Sequence, residues 1–150
     1  MIPLNWKLVI DCANANQQAA FWAQALGYIV EDNSALIERL RGFGAIGEAD
    51  ITTVAGRLAW KVLAAVRHPD DPVDPESGTG LGGRLVFQAV PEPKTVKNRP
   101  HVDLHVGPAR RDAEVARLTE LGATVVRTVH DRASHHVTLA DPEGNEFDVQ

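Results

Sequence analysis

Polar and apolar residues alternate over His101-Val102-Asp103-Leu104-His105-Val106, which predicts a strand with one face in a core. Val102, Leu104 and Val106 point to one side, and His101, Asp103 and His105 to the other. The stretch Trp6 to Cys12 has the same layout, with Leu8, Ile10 and Cys12 facing a helix layer and Lys7, Val9 and Asp11 opposite. A helical pattern follows each strand. After the first, Asn14 and Gln17 have capping-box spacing, and the helix runs to Leu26, where Gly27 supplies a left-handed terminal residue. After the second, Gly107-Pro108 predicts a helix start, Val115, Leu118 and Leu121 its apolar face, and Gly122 its end.

Between and beyond these pairs the pattern is mostly strand. Tyr28 to Val30 reads as a short strand, and Ser34 as the cap of a second helix over 35–42 with Leu36, Ile37 and Leu40 inward. Residues 48–56 carry no assignable pattern, and Leu58 to Val66 reads as one strand with Trp60, Val62 and Ala64 on one side. Arg67 to Gly83 is rich in proline, aspartate and glycine and is expected to be a mobile acidic loop, or else a lid over a binding cleft. Its Gly78, Gly80 and Gly83 spell G-x-G-x-x-G, but no strand precedes and no helix follows, so it is not a nucleotide fingerprint. Strands are expected at Arg84 to Val90, Thr124 to Val129, His135 to Leu139 and Glu146 to Gln150. Asp141-Pro142-Glu143-Gly144-Asn145 forms the last turn. In the linker 91–100, Lys94, Lys97 and Arg99 are either solvated or hold an anionic ligand group.

The two halves therefore repeat: strand, helix ending in Leu-Gly, then further strands. The expected fold class is α+β, with tandem βαβββ modules forming a curved mixed sheet around a cleft and an extra helix in the first half. One domain covers 1–150, with module one at about 6–90, the linker at 91–100 and module two at about 101–150. Period two places Lys7, Val9, Asp11, Val86 and Gln88 from the first half on the helix-free sheet face. From the second half it places His101, Asp103, His105, Glu146, Asp148 and Gln150 there.

Composition narrows the class. The chain has 150 residues, 44% of them hydrophobic, and a net charge of −5, which argues against nucleic-acid binding. The single cysteine, Cys12, excludes an internal disulfide, fits a reducing compartment and is expected to be buried. The stretch from Met1 to Lys7 lacks a signal-peptide pattern, and no apolar run approaches the ~20 residues that span a bilayer. A cytoplasmic protein without membrane partners is expected.

Two strand–helix–three-strand modules, Leu26-Gly27 and Leu121-Gly122 after their helices, and Asp141-Pro142-Glu143-Gly144-Asn145 before the last strand resemble the vicinal oxygen chelate superfamily. This superfamily includes glyoxalase I, extradiol dioxygenases, fosfomycin-resistance enzymes and bleomycin-binding proteins. The run from Arg84 through Lys94 to His101 resembles its glyoxalase-like branch found largely in actinobacteria. The resemblance implies a cleft built from both modules and a homodimer. It also implies metal-ligand positions at Lys7, Gln88, His101 and Asp148, where metal-using relatives carry His or Glu. A protonated lysine cannot ligate and Gln88 is a weak donor, so no metal is expected. If zinc, nickel, iron or manganese does bind, it does so weakly through Gln88, His101 and Asp148. The Lys7 ammonium could instead replace the cation, pairing with Asp148 or Asp103.

Two functions compete, and a third, an accessory domain acting through protein contacts, is required by nothing in the sequence. One is a metal-independent binder of a small organic molecule, like the resistance proteins, with Lys7, Asp11, Trp60, Gln88, His101 and Asp148 lining its site. The other is a lyase, isomerase or dioxygenase that uses a divalent ion, or His101, His105 and Asp103 as acid and base. Trp6, Trp22 and Trp60 are candidates for stacking a planar ligand, with Trp22 expected in a core or dimer contact. His135 and His136 point to opposite sides, so at most one joins any site, and the surface is expected for both. His68 and His130 lie beside loops with no readable role.

Overall fold

The computed structural model describes residues 6–131 and 135–150, so the N-terminal reading of residues 1–5 lies outside the described residues. The chain divides into two compact units, Met1–Pro93 and Lys94–Gln150. In the first, β1 (Leu8–Cys12), α1 (Ala15–Leu26), β2 (Ile29–Val30), α2 (Ser34–Gly42), β3 (Ile51–Val54), β4 (Arg57–Trp60), β5 (Leu63–Arg67) and β6 (Arg84–Ala89) follow in order. In the second they are β7 (Val102–Leu104), α3 (Arg111–Glu120), β8 (Thr124–His130), β9 (His135–Ala140) and β10 (Glu146–Val149). The sheet orders are β1-β6-β5-β2 and β7-β10-β9-β8. In each, the unit's first strand runs parallel to its last and the other pairs are antiparallel. The duplication read from the sequence is thus a duplication of topology, with α2 and the β3–β4 hairpin inserted in the first copy.

In the first unit, Asn14 is extended and its Oδ1 accepts the Gln17 N–H at 3.1 Å, while Gly27 closes α1 with φ 68°. Ala15, Ala19 and Trp22 on α1 are buried, as are Val66 and Phe87 in the sheet. Trp22 meets Phe21 edge-on at 5.6 Å. Removing an aromatic side chain this size from water contributes on the order of 5 kcal/mol before entropy. The same α1 face carries Gln18, fully buried, with no hydrogen-bond partner for Oε1 or Nε2 among the described residues. Cys12 is buried, as expected.

Three expectations for this unit need correction. The strand read from Leu58 to Val66 is two strands, because Ala55 (φ 48°) and Gly56 (φ 78°) form a tight hairpin turn that pairs β4 with β3. The Lys61 amide then bonds the Asp50 carbonyl, Val62 is exposed, and β5 starts at Leu63. Helix α2 begins at Ser34 itself, whose N–H bonds Asp32 Oδ1. That bond and the Ser34 hydroxyl, with Arg57 opposite, hold the Asp32 carboxyl below its ordinary value.

The third correction concerns the 67–83 segment, which is tied down rather than loose. Val73 bridges Gly80, Asn33 Nδ2 donates to the Ser77 carbonyl at 2.7 Å, and Ser77 Oγ donates to Asp74. The Gly80 N–H donates to Glu31 Oε1 at 2.9 Å. Arg84 grips the same carboxylate with two bonds of 2.7 Å, and the Glu31 side chain is only 1% exposed. Gly78 has φ 72°, and a Cβ there would lie 1.8 Å from the Asp32 carbonyl oxygen. Gly78 and Gly80 of the G-x-G-x-x-G run therefore serve close packing, whereas a Cβ at Gly83 would meet nothing within 4 Å.

In the second unit, Phe147, Val149, Leu139 and Leu118 are fully buried, and strand register puts Phe147, Val149, Val137, Leu139 and Leu104 on one sheet face. Helix α3 packs against β8 and β10. It starts three residues later than Pro108 suggests, because Gly107, at φ 81°, turns its carbonyl to accept the Arg110 and Arg111 amides. Asp112 and Glu114 then occupy the first turn, where the helix dipole favours acids. The later linker residues belong to this unit. Lys94 Nζ reaches Glu146 at 3.4 Å and Asn98 bonds Glu146 and Asn145, so Lys94 is held by protein and not kept for an anion. In the last turn, Asp141 Oδ1 accepts the Glu143 and Asn145 amides.

Candidate functional site

The polar face of the second unit's sheet gathers the chemistry. Asp148 on β10 lies between Asp103 on β7, its parallel register partner, and Thr138 on β9, its antiparallel one. All three side chains therefore project from the same face. Thr138 Oγ1 donates to Asp148 Oδ1 at 2.6 Å, and Arg127 Nε on β8 donates to that hydroxyl at 3.4 Å. His101 Nε2 lies 3.3 Å from Asp103 Oδ1 and 3.6 Å from Asp148 Oδ2. His136 Nε2 approaches the same Asp148 oxygen at 3.6 Å. Gln150 Nε2 donates to Asp103 Oδ2 at 3.0 Å. Two carboxylates side by side repel, and within this unit neither has a lysine or arginine partner among the described residues, so the imidazoles are their neighbouring cation sources.

Beyond this group, Glu146 shares the face. Burial would raise its carboxyl, but the Asn98 and Glu146 amides and the Lys94 ammonium outweigh it and hold the group below its ordinary value.

Three of these side chains could together hold a divalent cation. Ligand atoms of His101, Asp103 and Asp148 lie within 4.8 Å of one another. Metal–ligand bonds of about 2.0–2.2 Å place such atoms roughly 3–3.5 Å apart, which matches the His101–Asp103 separation of 3.3 Å. One nitrogen and two oxygens leave positions open, as catalytic metals require. The sequence reading names Gln88, His101 and Asp148 as the possible ligands and gives Asp103 an acid–base role, although the alternation already places it beside His101.

The remaining predicted site residues fall elsewhere. His105 follows β7, is exposed, and makes no side-chain hydrogen bond or ion pair among the described residues, so it does not hold Asp103. His101 and Gln150 hold Asp103 instead. His136, expected at the surface, is the second imidazole on Asp148. The signal was available, since it is two residues from Thr138 on an alternating strand. Lys7, Asp11, Gln88 and Trp60 belong to the first unit. Lys7 is exposed before β1, Asp11 and Gln88 are register partners across β1 and β6, and Trp60 lies on the β3–β4 hairpin with its carbonyl accepting Asn16 Nδ2. Trp6, a stacking candidate, is exposed, and Trp22 lies in the core, one of the two places expected for it. Among the described residues, no helix is long and apolar enough to cross a membrane.

This architecture is shared with known proteins. A fosfomycin resistance protein, FosX, from Mesorhizobium loti matches with TM-score 0.61 at 10% identity, over 100% of this chain and 92% of its own. FosX from Listeria monocytogenes matches with TM-score 0.61 at 10% identity, over 100% and 94%. A glyoxalase/bleomycin resistance protein/dioxygenase family enzyme from Burkholderia phytofirmans matches with TM-score 0.58 at 14% identity, over 95% and 94%. At these identities the likeness shows the fold alone. No curated protein matches the chain by sequence. Residues 7–150 match the family described as glyoxalase-like domain, so nearly the whole chain is covered, and the protein belongs to the glyoxalase-like domain family.

Proposed function

We propose that this glyoxalase-like protein binds a small organic molecule bearing a cationic or hydrogen-bond-donating group, anchored on the polar sheet face around Asp148. The observation that carries this reading is the juxtaposition of Asp103 and Asp148 on parallel neighbours, with the His101 imidazole between them and no lysine or arginine partner for either within the unit among the described residues. A ligand cation there offsets the repulsion of the two carboxylates, and Thr138 keeps Asp148 aimed at it. Flat cationic drugs are the natural probes. A ligand present at about 100 times its Kd raises stability by about 2.7 kcal/mol, which a thermal scan reads directly. Asp148→Asn should abolish that stabilisation. Equal stabilisation of wild type and variant would overturn the reading.

The metal-capable spacing of His101, Asp103 and Asp148 favours a second reading, a lyase, isomerase or dioxygenase dependent on a divalent ion. A mutant of the FosX of Listeria monocytogenes has been solved in complex with Mn(II) and 1S,2S-dihydroxypropylphosphonic acid. An ion at this site would polarise a substrate oxygen as a Lewis acid. The chain's own part would be to orient Asp148 through Thr138 and His136. Elemental analysis of protein purified without chelator separates the readings. Stoichiometric zinc, nickel, iron or manganese that is lost in His101→Ala supports the enzyme. Metal-free protein that still binds flat cations supports the binder. A homodimer is part of either reading and is measured by light scattering.

A further inference from the structure

The opposite, helix-covered side of the second unit's sheet holds a different kind of group. Arg111, in the first turn of α3, is 8% exposed, and its Nε is buried without a hydrogen-bond partner among the described residues. Among the described residues the guanidinium makes one long hydrogen bond, Nη1 to the His135 carbonyl at 3.4 Å. The nearest carboxylate, Asp112, lies 3.5 Å from Nε, but its side chain is 92% exposed, so water screens it. A cation this buried is normally matched by a hydrogen-bonded anion, because desolvating it alone is strongly unfavourable.

Arg111 stands at the wall of an open pocket of about 270 Å³. Val115, Val125 and Val137 supply its apolar lining, and Thr128 and His135 its other polar groups. Register places Val125, Thr128 and Val137 on the face away from Asp148, so this pocket is separate from the candidate site. The neighbouring charges are few. Glu114 is taken by Arg117, Arg110 donates to the Val106 carbonyl, and His130 stacks edge-on against His135. Burial, then Arg111, then His130 hold the His135 imidazole below its ordinary value, so it is neutral near pH 7 and does not compete for an anion. A planar guanidinium above aliphatic walls is suited to a carboxylate carried on a short branched or cyclic hydrocarbon.

We propose that the Arg111 pocket is a binding site for a small organic carboxylate. The anion satisfies the buried guanidinium, and its hydrocarbon part covers the three valines. The volume limits the ligand to a small acid, since drug-sized molecules fill pockets of about 300–1,000 Å³.

The test uses the full-length protein, with isovalerate as probe and isovaleramide as its neutral counterpart of nearly the same shape, followed by NMR. Isovalerate should give saturable shifts of the His135 ring and the Val137 methyls, and isovaleramide should bind at least about tenfold more weakly. Bound carboxylate also brings a negative charge beside His135, so the ring should titrate at higher pH in saturating isovalerate than without it. Arg111→Met should lose the preference for acid over amide. The acid–amide comparison in wild type stands even if that variant does not fold. Equal shifts from acid and amide, no saturable shift with the acid, or an unchanged preference in a folded Arg111→Met would each overturn the proposal.

Discussion

The Glu31–Arg84 pair is where a single change should do most damage in the first unit. Glu31 is 1% exposed at its side chain and Arg84 15%, and two bonds of 2.7 Å join them in a fork. Glu31 also accepts the Gly80 amide, so it fastens the 67–83 segment to the end of β2. Glu31→Ala strands a guanidinium in a nearly dry site and should destabilise by about 3–5 kcal/mol. At about 2–4 °C per kcal/mol for a chain of this size, the melting temperature should fall by roughly 6–20 °C. The double variant Glu31→Leu/Arg84→Met removes both charges and keeps apolar volume. It should recover most of the loss, less about 1 kcal/mol for the unpaired Gly80 amide. Urea unfolding of wild type, both single variants and the double variant gives the coupling, provided the m-value stays constant. The wild-type stability should change little with salt, because buried pairs are weakly screened. A Glu31→Ala loss below about 1 kcal/mol, or a double variant equal to the sum of its singles, would refute the account.

Two further outcomes follow from groups described above. Gln18→Met should raise stability by about 1–2 kcal/mol in urea unfolding, because it removes two buried polar atoms that lack partners and keeps the side chain's length; a decrease would mean that the amide is satisfied in solution. Glu146 lies below its ordinary value of 4.5 when folded, so its contribution is complete above that pH and fades as pH falls through the lower folded value. Glu146→Gln should therefore narrow its stability difference from wild type on acidification, and a gap that widens instead would contradict the Lys94–Asn98 contacts.

Much of the plan was legible because period two and helix caps are local. Leu8, Ile10 and Cys12 face inward, Asn14 and Gly27 bracket α1, and the Asp141–Asn145 turn stands where expected. The misses came from chemistry that a local pattern does not encode. Ala55-Gly56 is an uncommon pair for a hairpin turn, so β3 and β4 stayed hidden and Leu58 to Val66 looked continuous. The 67–83 segment has a loop's composition, and its anchors, Glu31 and Asn33, are more than forty residues away in sequence. Alternation puts His101, Asp103 and Asp148 on one sheet face, and the pairing agrees. Only pairing register brings the 148 carboxylate beside the 103 carboxylate and admits His136. Nothing in the spacing of Arg111 along the sequence announces its burial.

The contact between Gly78 and the Asp32 carbonyl limits how this chain can vary. A segment whose tip rests directly on another main chain works as a brace, and even a methyl group at that tip would wedge the two apart. Sequences built on the same plan can change the outward residues of the insert freely while keeping that one position bare. Divergence should therefore accumulate on the exposed strand faces and leave the brace alone.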